Sequence, residues 1–203
     1  MSTHSRKWWL LSIILFFGIL ARPDFSFSEE KSFQQDFEKT CLTAGRNFTA
    51  LKGLFDQMGW KNTTSAPTGV AADLMNTASV AMKSMGDGVK VDEIVTFQRN
   101  RNGAEEVAIL SFFQIAARKA IGCQIYYPSA SVSDFPTRFP TLLEITEAKK
   151  ATDGASKFVK WKRPKTMPGY ISITEGFIAP GGQLASQIGF SGISMSSTSE
   201  QEE

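Results

Sequence analysis

Five cations fall within nine residues at Lys157-Phe158-Val159-Lys160-Trp161-Lys162-Arg163-Pro164-Lys165, around a single tryptophan. Read as a strand, this segment places Lys160 and Lys162 on one face and Val159 and Trp161 on the other. Lys157, Lys160, Lys162, Arg163 and Lys165 would then suit an anionic surface, such as lipid headgroups or phosphorylated glycans. The plainer reading is an edge strand guarded by lysines against sheet-to-sheet pairing, with Trp161 in the core.

Catalytic chemistry has little to work with. The only histidine is His4, so the rest of the chain lacks the residue that serine or cysteine hydrolysis and histidine zinc sites normally need. A phosphate-cradling glycine loop, a dinucleotide fingerprint and a calcium loop are all absent, so no cofactor and no metal is expected. Two carboxylate pairs remain: Glu105-Glu106 beside a turn, and Glu144 with Glu147, three apart on a predicted helix. A carboxylate hydrolase needs two such groups facing each other across a cleft, one with a raised pKa, whereas adjacent glutamates usually form a solvated face. Neither Ser156-Lys157 nor Lys83-Ser84 has the Ser-x-x-Lys spacing of histidine-free hydrolases. No catalytic residue is assigned. Tyr126-Tyr127 before Pro128 suggests one ring buried and one at a rim. The sequons at Asn47 and Asn62 carry little weight, the first falling inside a predicted helix.

Cys41 and Cys123 are the only cysteines, and the N-terminal segment says how to read them. Arg6-Lys7 precede the apolar run Trp8–Ala21, whose fourteen residues would span about 21 Å as a helix, short of the ~30 Å hydrocarbon core of a bilayer. Small residues at Ser26 and Ser28 then fit a cleavage site before Glu29. Residues 1–28 are therefore read as a signal peptide, with an uncleaved membrane anchor as the alternative. In the oxidising space beyond, an even pair of cysteines joins, and two buried free thiols are the alternative. Without Arg6, Lys7, Arg22 and Asp24 the basic and acidic residues are equal in number, so no basic field argues for nucleic acid.

These residues need elements to position them. Phe33, Phe37, Cys41, Ala44, Phe48, Leu51, Phe55 and Met58 recur every three or four positions, which predicts one long amphipathic helix over 32–58, ended by Gly59. A weaker helix is predicted over 70–85. From Val89 the period falls to two, with strands expected up to Arg99 and over Val107–Ile115, Ala120–Tyr127, Lys157–Arg163, Gly169–Ala179 and Gln183–Ser194. A helix is expected over Asp134–Ala148, and a disordered tail over Ser196–Glu203. With 42% hydrophobic and 21% charged residues, the 203-residue chain has the composition of one ordinary domain, 29–195. The predicted class is α+β: a long N-terminal helix on a mainly antiparallel sheet of five to six strands, with one further helix between strands.

An exported helix carrying Cys41, a Gly59-Trp60 end and a Cys123-Gln124-Ile125-Tyr126 strand together resemble small exported bacterial proteins. The resemblance implies a periplasm and brings no catalytic residues with it. The expected function is a periplasmic or secreted, non-catalytic domain that binds or supports an envelope protein or anionic surface. A carboxylate-dependent hydrolase and a homodimeric structural subunit are the alternatives.

Overall fold

Residues rich in Val, Ile, Phe and Thr from Val89 onward build most of the molecule. In a computed structural model the residues described are 33–84, 88–101, 103–128 and 148–202. Eight strands form one antiparallel sheet: β1 (Lys61–Asn62), β2 (Val89–Arg101), β3 (Ala104–Ile115), β4 (Arg118–Tyr127), β5 (Ala148–Asp153), β6 (Ser156–Lys162), β7 (Tyr170–Ile178) and β8 (Gly192–Glu200). Their order is β1-β2-β3-β4-β8-β7-β6-β5. Two meanders, β1 to β4 and β5 to β7, are thus joined through the last strand, which pairs with β4 on one side and β7 on the other.

The local chemistry fits this meander. Gly103, at φ +85°, turns β2 into β3 where most side chains would be strained, and its N–H donates to Asn100 Oδ1 at 3.0 Å. On the inner face Val95, Phe97, Leu110, Ile121, Ile125, Ile173 and Trp161 form the main core beneath the N-terminal helices. On the outer face helices α3 (Gly69–Ser84) and α4 (Gln183–Ile188) cover a smaller cluster built on Val107, Ile109, Ile178 and Phe190. The fold is α+β.

The single long N-terminal helix is not present. Its place is taken by helical residues 33–37 (α1), a π-helical turn Glu38–Leu42, a non-helical bend and a separate helix α2 (Phe48–Gln57). The apolar stripe is real, since Phe33, Phe37, Cys41, Phe48, Leu51 and Phe55 are all buried. The backbone, however, breaks to follow a twisted sheet. The π turn turns carbonyls out of the helical ladder, and sheet hydroxyls take them up: Tyr170 donates to Cys41 O and Leu42 O at 2.9 and 2.8 Å, Ser197 to Cys41 O at 3.4 Å, and Ser199 to Gly45 O. At Gly45 a Cβ would lie 1.9 Å from Cys41 O, so only glycine permits the bend. Asn47 then starts α2 as its N-cap, accepting from the Ala50 N–H at 2.9 Å.

Other expectations are corrected too. Among the described residues the sheet has seven strands of six residues or more and one two-residue strand, not about five to six, and helices interrupt the run of strands between β1 and β2 and between β7 and β8. Gln183–Ser194 is not a strand: it opens with α4 and only its end enters β8. Ser196–Glu200 belong to β8, a central strand, and not to a disordered tail. Serine alternation with Ile193 and Met195 suffices for a strand once neighbours supply both ladders. The signal-peptide reading of 1–28, and most of the helix expected at 134–148, lie outside the described residues.

Candidate functional site

The chain places its chemistry at four sites, and the basic segment is the first. β6 carries Lys157, Lys160 and Lys162, all exposed, while Val159 and Trp161 are buried as the alternation required. Lys160 and Lys162 share the outer face, and Lys157 falls on the inner side with Val159. Arg163, at φ +47°, leaves the strand and starts the turn into β7, its N–H donating to Ile171 O at 2.9 Å. Arg163 and Lys165 line a shallow depression of about 260 Å³ with Pro164, Met167 and Tyr170. The five cations are therefore divided: two on the outer sheet face, one on the inner side, and two in the turn.

β6 is not an edge strand. β5 pairs along it from Ala148↔Trp161 to Asp153↔Ser156, so edge protection does not account for its lysines. Beside them the register aligns polar residues across the sheet. Lys160 stands opposite Thr174, which faces Ser196, which faces Gln124; Lys162 stands opposite Ser172, which faces Thr198, which faces Gly122. Ser172, Thr174, Ser196, Thr198 and Gln124 are all half-exposed.

The second site is a buried ionic cluster that the sequence did not single out. Glu106 is 3% exposed in its side chain, and it accepts from Arg99 Nε and Arg101 Nε at 2.9 Å each. Arg99 also pairs with Asp36 at 2.7 Å, Arg101 pairs with the same carboxylate, and the Arg99 guanidinium lies 4.2 Å over the Trp60 ring. Burial pushes the Glu106 carboxyl above its ordinary value, against the opposing pull of Arg99 and Arg101. Two acids and two arginines compensate one another, which suits a clamp between α1 and the β2–β3 hairpin. Glu105 points to the other face, where Gln98 donates to it, so the Glu105-Glu106 pair cannot converge on one substrate. Glu144 and Glu147 lie outside the described residues. The only advance sign of this cluster was the same-face spacing of Arg99 and Arg101 beside a turn.

The third is a cleft of about 650 Å³ between the start of α2 and the β3–β4 turn. Phe48 and Phe112 stack at 5.4 Å on its floor, and the ion pairs Lys52–Glu93 (2.8 Å) and Arg118–Glu200 (3.1 Å) line it. Cations and acids alternate there, so the cleft selects neither sign of charge.

The fourth is the covalent link. Cys41, in the π turn, and Cys123, at the centre of β4, form a disulfide, and both are fully buried. Tyr127 is buried, stacks on Phe33 at 4.3 Å and donates to Phe33 O at 3.2 Å. Tyr126 is half-buried against Phe190 and donates to Gln124 Oε1 at 2.6 Å. Among the described residues no group of His, Cys, Asp or Glu is placed to hold a metal ion, and no helix is long and apolar enough to cross a membrane. Compared with protein-family models, curated proteins and solved structures, the chain matches none.

Proposed function

We propose that this chain is an exported, non-catalytic domain that binds an anionic component of the cell envelope through the outer face of its sheet. One observation carries the reading: Lys160 and Lys162 stand exposed on an interior strand, where no edge needs guarding, beside polar neighbours instead of acids. Export is supported by the leader-like segment 1–28 and by the disulfide, a bond that persists in oxidising compartments. Catalysis has no comparable support: Asp36 and Glu106 are neutralised by two arginines, and in the cleft beside α2 Glu93 pairs with Lys52, Glu200 with Arg118 and Glu202 with Arg46.

The test is the double substitution Lys160→Glu with Lys162→Glu, assayed on immobilised dextran sulfate and on phosphatidylglycerol vesicles. Each lysine near an anionic surface contributes about 1 kcal/mol, so losing both weakens binding by about thirtyfold, before the added repulsion. Added salt weakens the wild type and leaves the variant little changed. Binding equal to wild type would sink the proposal.

A further inference from the structure

Granting the anionic-surface reading, on which this rests, we infer that the partner is an acidic glycan chain laid across the strands of the outer face. The motivation begins in β8, where serines and threonine alternate between two fates. On the inner side Ser197 and Ser199 donate to the carbonyls of Cys41 and Gly45. On the outer side Ser196 and Thr198 are half-exposed, and with Ser172 and Thr174 on β7 they make no side-chain hydrogen bond among the described residues. Four hydroxyls thus remain able both to donate and to accept.

The register turns them into two parallel rows. Lys160, Thr174, Ser196 and Gln124 form one; Lys162, Ser172, Thr198 and Gly122 form the other. Strands about 4.8 Å apart repeat these groups at a spacing close to that of successive units in an extended sugar chain, and each row carries a lysine that can meet an acidic substituent, with Lys149 of β5 in register opposite Lys160. Gly122 bears no side chain to stand between Thr198 and the next strand, and a Cβ there would lie 2.4 Å from Ser111 Oγ, so the surface stays flat. Tyr126 holds Gln124 by its oxygen, leaving the amide N–H groups as donors. Neither row contains an acid, and the nearby Glu200 is paired with Arg118.

A bilayer would be recognised differently. Insertion at the headgroup boundary requires apolar side chains beside the cations. Neither row holds one, and the two large hydrophobic residues exposed among the described residues, Val80 and Ile115, sit away from the rows on α3 and at the end of β3.

The experiment uses the full chain with three probes: dextran sulfate, uncharged dextran, and vesicles of phosphatidylglycerol and phosphatidylcholine in equal parts. Thr174→Val with Thr198→Val removes two hydroxyls without altering charge or shape. Ser172→Ala with Ser196→Ala serves as a second variant, in case the first does not fold. Wild type binds dextran sulfate more tightly than vesicles, and the hydroxyl variants lose about tenfold on dextran sulfate while their vesicle binding is unchanged. Hydroxyl variants that bind dextran sulfate like wild type, or vesicles bound as tightly as dextran sulfate, would overturn the glycan and leave the anionic-surface reading standing. Wild type that binds neither anionic probe, or lysine variants that bind both like wild type, would overturn that reading and the glycan with it.

Discussion

Tyr170 shows how one side chain can set the position of a whole layer. Its hydroxyl donates to two carbonyls of the π turn, and burial pushes its pKa up from 10 to about 12. The folded state thus holds this proton more tightly than the unfolded chain does. The stabilisation is complete below about pH 10 and is lost as the pH rises through about 12. Tyr170→Phe should therefore cost about 1–3 kcal/mol in urea unfolding at neutral pH, because Leu42 O loses its hydroxyl donor and Cys41 O is left with Ser197 at 3.4 Å. The gap between wild type and variant should shrink between pH 10 and 12; a gap that stays constant there would show that the hydroxyl is not the titrating group. At this scale the sequence was partly legible. Trp161 inward, with Lys160 and Lys162 outward, followed from period two alone. The partners of Tyr170, Arg99 and Glu106 did not, because each lies far along the chain or depends on which face a strand turns inward.

At the scale of elements the instructive case is the N-terminal stripe. Spacing of three and four correctly marked which residues face the core, and it marked Gly59, whose φ of +78° ends α2. It could not show that the backbone changes course at 38–46, since a π turn preserves the stripe while rotating the helix axis. Gly45 is where that change becomes compulsory. Gly45→Ala would drive a methyl into Cys41 O and close to the Tyr170 hydroxyl, at 1.9 and 2.7 Å. An expected loss of about 2–4 kcal/mol, read from thermal or urea unfolding, contrasts with Gly53→Ala inside α2, which meets nothing within 4 Å and should gain about 0.5–1 kcal/mol from helix propensity. Equal stability of the two variants would refute the close approach. β5 is a contrasting case. Ala-Lys-Lys-Ala-Thr-Asp has little strand propensity of its own and forms a strand because β6 offers it a ladder.

For the whole molecule the decisive feature is the route of the chain through the sheet. Two meanders fold from near neighbours, yet they are joined through the last strand, so the native sheet closes only when β8 enters between β4 and β7. The disulfide adds a second long tie, across 82 residues, which restricts the unfolded chain by about 4 kcal/mol in the entropy model. A chain ending at Ile193 would lose most of a central strand, together with Ser197 and Ser199, whose hydroxyls donate to Cys41 O and Gly45 O. It should lack the cooperative unfolding transition seen for the full chain by far-UV circular dichroism. A disordered tail would instead leave that transition unchanged.

Composition and period by themselves determined the α+β class, the turn beside Glu105-Glu106, most strands between Val89 and Ile178, and the pairing of the only two cysteines. These are local or arithmetic properties, set by backbone preference, side-chain alternation and count. Tertiary structure alone decided that the serine-rich C-terminus is a central strand, that β6 is covered at its edge, and that Glu106 is buried between two arginines. Each of these depends on which strand lies next to which, and a non-local pairing leaves no period in the sequence. Lys160 and Lys162 change meaning for that reason: on an edge they would be guards, whereas β6 is paired on both sides and holds them exposed beside the half-exposed hydroxyls of β7 and β8.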